Sequence, residues 1–192
     1  VLGQAVVDIG QNSALYATNM FIDAKNVFVK ERFKTGFNLT SGSVALVSIG
    51  VMTSTTDIGT ASKSFDARVD IGSGTLLQVD APEGEKTAVI GAESRNAPRI
   101  EIETYISAKG VDNVKVEAVS GLAGGAKGKS VMDAELNSQI NVTGASIVNN
   151  AGDVFLTTRT DTLLRPNANL MVASGLTGGA FANVSTVTHA YN

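Results

Sequence analysis

Apolar and polar residues alternate with a period of two along nearly the whole chain. In Phe65-Asp-Ala-Arg-Val-Asp-Ile71, the side chains of Phe65, Ala67, Val69 and Ile71 share one face of an extended strand, and Asp66, Arg68 and Asp70 share the other. Ile100-Glu-Ile-Glu-Thr-Tyr-Ile106 and Val114-Lys-Val-Glu-Ala118 repeat the arrangement. Shorter runs predict strands at 6–9, 20–24, 27–30, 88–90, 140–142, 154–156 and 170–172. Turn formers separate them: Gly10-Gln-Asn-Ser13, Gly72-Ser-Gly74, Pro82-Glu-Gly84, Asn96-Ala-Pro98, Asn149-Asn-Ala-Gly152 and Pro166-Asn-Ala-Asn169. No stretch carries an apolar stripe at helical spacing over three turns. The pattern predicts an all-β protein.

Many short strands suit a sandwich, a barrel or a solenoid, and an internal repeat selects the solenoid. Residues 41–58, beginning Ser41-Gly-Ser, lie over residues 174–191, beginning Ser174-Gly-Leu, without a gap. Ser120-Gly-Leu-Ala-Gly-Gly-Ala126 opens a third copy. The starts are 79 and 54 residues apart, near three and two times a unit of about 26 residues, the length of a three-strand coil. The expectation is a right-handed parallel β-helix of roughly seven coils without a clear capping element, forming one segment over residues 1–192. Inward positions would form ladders of Val, Ile, Leu and Ala. Outward positions would carry Ser, Thr, Asn, Asp, Glu and Lys.

Composition narrows the function classes. Charged residues make up 17% of the chain, below the roughly 25% of a typical globular protein, and the small and β-branched residues that take their place suit strands. A net charge of −3 argues against nucleic acid, which needs a clustered positive field. The longest apolar run, 44–52, is broken by Ser48 and Gly50 and is too short to insert in a membrane as a helix. With no cysteine, neither a disulfide framework nor a thiolate metal site is expected. The chain opens on Val1 as a strand, with no basic segment ahead of an apolar one, so a segment of a longer protein is expected.

Ala24-Lys-Asn-Val-Phe-Val29, the run from Val114 to Ala126 and the run from Ala173 to Val184 resemble filamentous haemagglutinin-like large exoproteins, and most of all the leukotoxin-type filamentous adhesins of Gram-negative anaerobes. The resemblance extends over nearly the whole chain in kind, through degenerate motifs. It implies a β-helical fibre exported through an outer-membrane secretion partner and displayed at, or released from, the bacterial surface. It also implies a role in virulence by attachment to a host-cell receptor or glycan. The family's export-recognition domain has no match in these residues, so the segment reads as shaft, adhesive or purely supporting.

No catalytic, cofactor-binding or metal-binding residue is assigned, no cofactor is expected, and the chain is not read as an enzyme. Ala123-Gly-Gly-Ala-Lys-Gly-Lys-Ser130 has the spacing of a phosphate loop, but the following residues alternate as a strand, so it reads as a glycine-rich turn in a repeat. Asp66, Asp70, Glu101 and Glu103, with Arg68, Lys115 and Glu117, form acidic strands that read as a solvated face. The alternative is a carbohydrate-active β-helix enzyme, a polysaccharide lyase or hydrolase with these carboxylates in one groove. His189 is the only histidine, and Gly72-Ser-Gly-Thr-Leu-Leu77 lacks the third glycine of a dinucleotide loop. Asn38, Asn141 and Asn183 fall in glycosylation sequons of a kind expected by chance. Loops at Asp80-Ala-Pro-Glu-Gly-Glu-Lys86 and from Arg159-Thr-Asp161 to Arg165-Pro-Asn167 are the expected contact points if the segment binds a ligand.

Overall fold

A computed structural model describes residues 1–30, 38–42, 46–80, 98–149 and 152–191. These residues form an all-β structure of parallel strands, with no helix among them. The strands are β1 (Gln4–Ile9), β2 (Ala14–Ala17), β3 (Met20–Lys30), β4 (Asn38–Gly42), β5 (Val47–Ile58), β6 (Phe65–Ile71), β7 (Leu76–Val79), β8 (Ile100–Val111), β9 (Val114–Ser120), β10 (Ala123–Val142), β11 (Ser146–Asn149), β12 (Val154–Arg165), β13 (Ala168–Ser174) and β14 (Thr177–Tyr191). The runs expected at 20–24 and 27–30 are one continuous strand, β3. The strand expected at 88–90, and the turns at 82–84 and 96–97, lie outside the described residues.

Four sheets result, and the chain visits them in a recurring order. Sheet A holds β1, β5, β6, β10 and β14; sheet B holds β2, β7 and β11; sheet C holds β3, β8 and β12; sheet D holds β4, β9 and β13. From β1 the chain passes through B, C and D, returns to A as β5 and β6, repeats the circuit to β10, and repeats it again to β14. Each passage lays its strands beside those of the previous one, so we refer to three levels.

The pairing interval differs from the expected unit of about 26 residues. Ala123 pairs with Thr177 and Ala168 with Val114, each 54 residues apart. Gln4 and Asp66 pair across 62 residues, and Met20 and Ile100 across 80. Among the described residues, sheets B, C and D hold three strands each. The repeat itself survives in part. Ser120 faces Ser174, Gly124 faces Gly178 and Gly125 faces Gly179, so the two later copies are neighbours in register. The copy at Ser41 is shifted, because Ser41 pairs with Ala118 and through it with Val172, and Val47 pairs with Ala123 and through it with Thr177. The gapless alignment over residues 174–191 is therefore corrected by two to three residues.

Side-chain alternation produces the interior. Ile58, Ala67, Val69, Ile71, Leu77, Val79, Ile100, Ile102, Ile106 and Leu136 pack in one apolar cluster beneath sheets A, B and C. A second cluster of Val114, Val116, Ala118 and Ala126 lies beneath sheet D and the first half of β10. There the sheets approach closely. A Cβ on Gly128 would meet Leu170 Cδ2 at 2.7 Å, and one on Gly124 would meet Val172 Cγ1 at 3.1 Å. The glycine-rich run is thus a strand, not a turn, and its inward glycines make room for the side chains of sheet D.

Two backbone devices hold the sheet order. Left-handed residues stand at the same place in all three A-to-B turns: Asn12, Gly74 and Gly144, with φ of 56°, 72° and 59°. Asn12 N donates to Ser73 O, and Gly74 N to Gly144 O, so the turns stack as the strands do. The second device lies within sheet A, where β5 and β6 both pair with β10. Ile58 pairs with Ala134 and Phe65 with Leu136, so residues 59–64 must loop out between them. Gly59 starts this loop at φ 73°, and a Cβ there would sit 2.4 Å from Glu135 O and 2.7 Å from Phe65 N. Both obstacles are backbone and cannot rotate aside. Gly59→Ala should therefore lower stability by about 2–4 kcal/mol, combining left-handed strain with overpacking. A urea denaturation curve with an unchanged midpoint would contradict this account of the loop.

Candidate binding surfaces

The outer face of sheet C is the broadest array of mixed chemistry among the described residues. The odd-numbered residues of β3, β8 and β12 point outward and align across the levels as Phe21–Glu101–Phe155, Asp23–Glu103–Thr157 and Lys25–Tyr105–Arg159. Arg99 lies 5.0 Å from the Phe21 ring centroid and 3.0 Å from the Glu101 carboxylate. Arg159 lies 5.4 Å from the centroid of Tyr105 and pairs with Asp161 at 2.8 Å. The Tyr105 hydroxyl donates to Asp161 at 2.9 Å. The hydrogen bonds from Arg159 and Tyr105 hold the Asp161 carboxyl below its ordinary value. Lys25 pairs with Asp23 at 3.2 Å and approaches Glu103 at 3.9 Å. Lys25, Arg99 and Arg159 are braced by neighbouring carboxylates or rings, while Phe21 and Phe155 are exposed. The two phenylalanines stand two strands apart, about 9–10 Å. The face thus combines exposed aromatic rings with polar groups already held by their neighbours.

The outer face of sheet A is different. Val47, Ile49 and Val51 of β5 and Phe181 of β14 are each more than half exposed. Leu46, Leu122 and Leu176 stack at the turn before them, with Leu122 N donating to Leu46 O and Leu176 N to Leu122 O. Outward positions were expected to be polar, and on this part of sheet A most are apolar, with Lys127 standing between Val51 and Phe181. Further along the same sheet the polar pattern returns: Arg68 pairs with Asp70 at 2.6 Å, Asn141 donates to Asp70 at 2.7 Å, and Gln4 donates to Asp66 at 3.3 Å.

A polar cluster also interrupts the interior between the two apolar clusters. Lys30 is in phase with Met20, Ile22 and Ala24, so it points inward from β3. Its ammonium donates to Thr56 Oγ1 at 2.7 Å and pairs with Asp112 at 3.3 Å. Ser130, fully buried, donates to Asp112 at 3.1 Å. Burial opposes ionisation of Asp112, but hydrogen bonding from Ser54, the Lys30 charge and the Ser130 hydroxyl outweigh it and hold the carboxyl below its ordinary value. With a cation, an acid and three hydroxyls already bonded to one another, the cluster serves as an internal strut.

The residues singled out from the sequence are separated by the fold. Asp66 and Asp70 lie on β6 of sheet A, Glu101 and Glu103 on β8 of sheet C, and Lys115 and Glu117 on β9 of sheet D. Ala67, Val69, Ile102 and Ile106 of β6 and β8 share one apolar cluster, so Asp70 lies on the outer side of sheet A and Glu101 and Glu103 on that of sheet C, whereas Asp66, expected on a solvated face, is buried with its carboxylate accepting hydrogen bonds from Gln4 and Ser64. They do not flank one glycosidic bond, and the groove expected for a carbohydrate-active enzyme is not formed by these residues. Lys115 pairs with Glu117, its neighbour along the strand. His189 Nδ1 lies 2.6 Å from Glu135 Oε1, an exposed pair between two levels. Lys127 and Lys129 extend outward from the glycine-rich strand. The residues from Arg159 to Arg165 belong to β12 rather than to a loop, and only Pro166 and Asn167 make the turn. Of the loop beginning at Asp80, residues 81–86 lie outside the described set. Among the described residues no group of three or more His, Asp or Glu side chains is placed to hold a metal ion.

Two features escaped the sequence reading. The Lys30–Asp112 pair was detectable in principle, since Lys30 continues the inward phase of β3. The Phe21–Phe155 alignment was not, because it depends on an interval set by intervening loops. Comparison with known proteins finds no matching family, no matching curated protein and no matching solved structure.

The Asp112 geometry makes a pH-dependent expectation. A carboxyl held below its ordinary value contributes stability above that value and loses it as the pH falls through the folded-state pKa. Asp112→Asn should cost about 1–3 kcal/mol at neutral pH and progressively less as the pH falls below the ordinary carboxyl value of about 4, where the unfolded chain takes up the proton before the native carboxylate does. Urea titrations of both chains at several pH values would show whether the two stabilities converge in acid.

Proposed function

We propose that this chain is a segment of β-solenoid from a secreted or surface-displayed bacterial filamentous adhesin, supporting attachment to a host cell through its outer sheet faces. The observation that carries the reading is the recurring circuit through four sheets in parallel register, with the outer residues of sheet C aligned over three levels. Parallel strands joined this way build a rod whose sides are wide and flat, and such a rod holds and repeats a contact surface along its length. The bacterial setting, the outer-membrane export partner and the role in attachment rest on the sequence resemblance to filamentous haemagglutinin-like exoproteins. The expected ligand is a cell-surface glycan or glycosylated receptor, met by Phe21, Phe155 and Tyr105 with the polar groups of Glu103, Arg159 and Asp161 around them. The right-handed coil and the continuation of the rod belong to the same proposal.

The test is saturable binding of the labelled chain to epithelial cells and to a glycan panel. Phe155→Ala combined with Arg159→Ala should weaken binding by about tenfold or more, since a stacked ring and a charge-assisted hydrogen bond are each worth about 1 kcal/mol or more. Val47→Ser on the outer face of sheet A should leave it unchanged. If the folded chain shows no saturable binding, the adhesive role fails for this segment and only a supporting one is left.

A further inference from the structure

We infer that the corner where sheet D turns into sheet A is a docking surface for an anionic lipid bilayer, entering the headgroup layer as a thin apolar blade with lysines on one side. The inference is independent of the adhesive reading, which concerns sheet C. Sheets D and A close on each other here, because the inward Gly124 and Gly128 leave room for Val172 and Leu170 and for little else. At the tip, Leu46, Leu122 and Leu176 stack one per level, and all three are exposed. Val119 continues the apolar surface on sheet D, and Ile49, Val51 and Phe181 continue it on sheet A. This exposure does not come from the ends of the stack. Leu122 and Val119 belong to the middle level, with strands paired on both sides, and are still 40% and 46% exposed. Ile49, Val51 and Phe181 face outward by their phase along the strand, and a further level would pair beside them rather than over them.

Charge selects the occupant. Lys127 and Lys129 stand exposed on the middle strand of this face. Among the described residues neither lysine pairs with a carboxylate. The nearest outward carboxylates of sheet A, Asp57 and Asp133, lie four residues beyond Thr53 and Lys129, about 13 Å along the strands. This half of the sheet is therefore cationic and apolar, within a chain whose net charge is −3. Apolar side chains at the level of the acyl boundary, with basic residues beside them, are what an anionic bilayer takes up. A second copy fits less well, because pairing the patch with itself about a two-fold axis brings the lysines of β10 against one another. A peptide finds no groove on a convex corner and no free edge on this part of β10, which is paired on both sides. In animal cells the anionic phospholipids face the cytoplasm, so the outer surface of an intact host cell is not the target.

Vesicle flotation tests this, with one preparation of phosphatidylcholine alone and one of equal parts phosphatidylcholine and phosphatidylglycerol. The chain is expected to float with the anionic vesicles and not with the neutral ones, and added salt should weaken the association. Lys127→Gln combined with Lys129→Gln should lower the partition coefficient by about tenfold or more. Ile49→Ser combined with Leu122→Ser should lower it by about as much. All four positions are exposed, and a strand-rich circular dichroism spectrum checks that each variant folds. Phe155→Ala combined with Arg159→Ala on sheet C should leave flotation unchanged. The chain has no tryptophan, so Phe181→Trp supplies a single reporter on this face. Its emission should move to shorter wavelength with the anionic vesicles only. A folded chain that floats with neither preparation would overturn the inference. So would full flotation of either substituted pair, or an unshifted reporter on a chain that floats, since contact would then lie elsewhere. Capture by an immobilised acidic amphipathic peptide without flotation would assign the corner to a protein partner and overturn it equally.

Discussion

Every described strand depends on a hydrogen-bonding partner supplied by a distant part of the chain. Parallel strands cannot be joined by a tight hairpin, so each ladder must wait for the chain to complete a circuit through the other sheets. That requirement fixes the rest. Turns must recur at equivalent places, hence the left-handed residues Asn12, Gly74 and Gly144. Inward side chains must tolerate identical neighbours above and below, hence the Val, Ile, Ala and Ser that line the interior. Where two sheets come close, the inward position carries no side chain at all, as at Gly124 and Gly128.

Much of this was legible in the sequence. Alternation identified the strands β6, β8 and β9 together with their inward and outward residues, because period-two patterning is a local property. The Ser-Gly-Leu repeat at 120 and 174 identified two segments that become neighbours. The period was misjudged because the spacing between copies is not made of equal units. The loop at 59–64 and the long connection between β7 and β8 enlarge some circuits and not others, so 79 and 54 fell near multiples of a shorter number without a structural cause. Alternation also tells which face of a strand a carboxylate occupies, but not which sheet the strand joins. The carboxylates of β6 and β8 consequently looked like one acidic surface when they belong to two.

The interior shows the same balance between pattern and exception. An apolar ladder asks nothing of its members except size. The Lys30–Asp112 pair asks for partners on β5 and β10, and it finds them in Thr56, Ser54 and Ser130. Such a cluster tolerates no change of register, because a shift of one residue would bury a charge without its counter-ion. Apolar residues therefore supply the drive to stack, and the polar strut discriminates between one stacking arrangement and its near neighbours.

The long pairing interval also governs how the chain reaches its fold. Among the described strands no ladder joins partners closer than 54 residues apart, so no hairpin is available to nucleate the structure. The first ladder requires a loop of that order to close, at an entropic cost paid before any strand contact repays it. Once one circuit has closed, its edge becomes a template, and each later strand need only align with a surface already in place. The physical expectation is a slow first event followed by rapid, directional growth, the kinetic behaviour of a crystal seeded once and then extended.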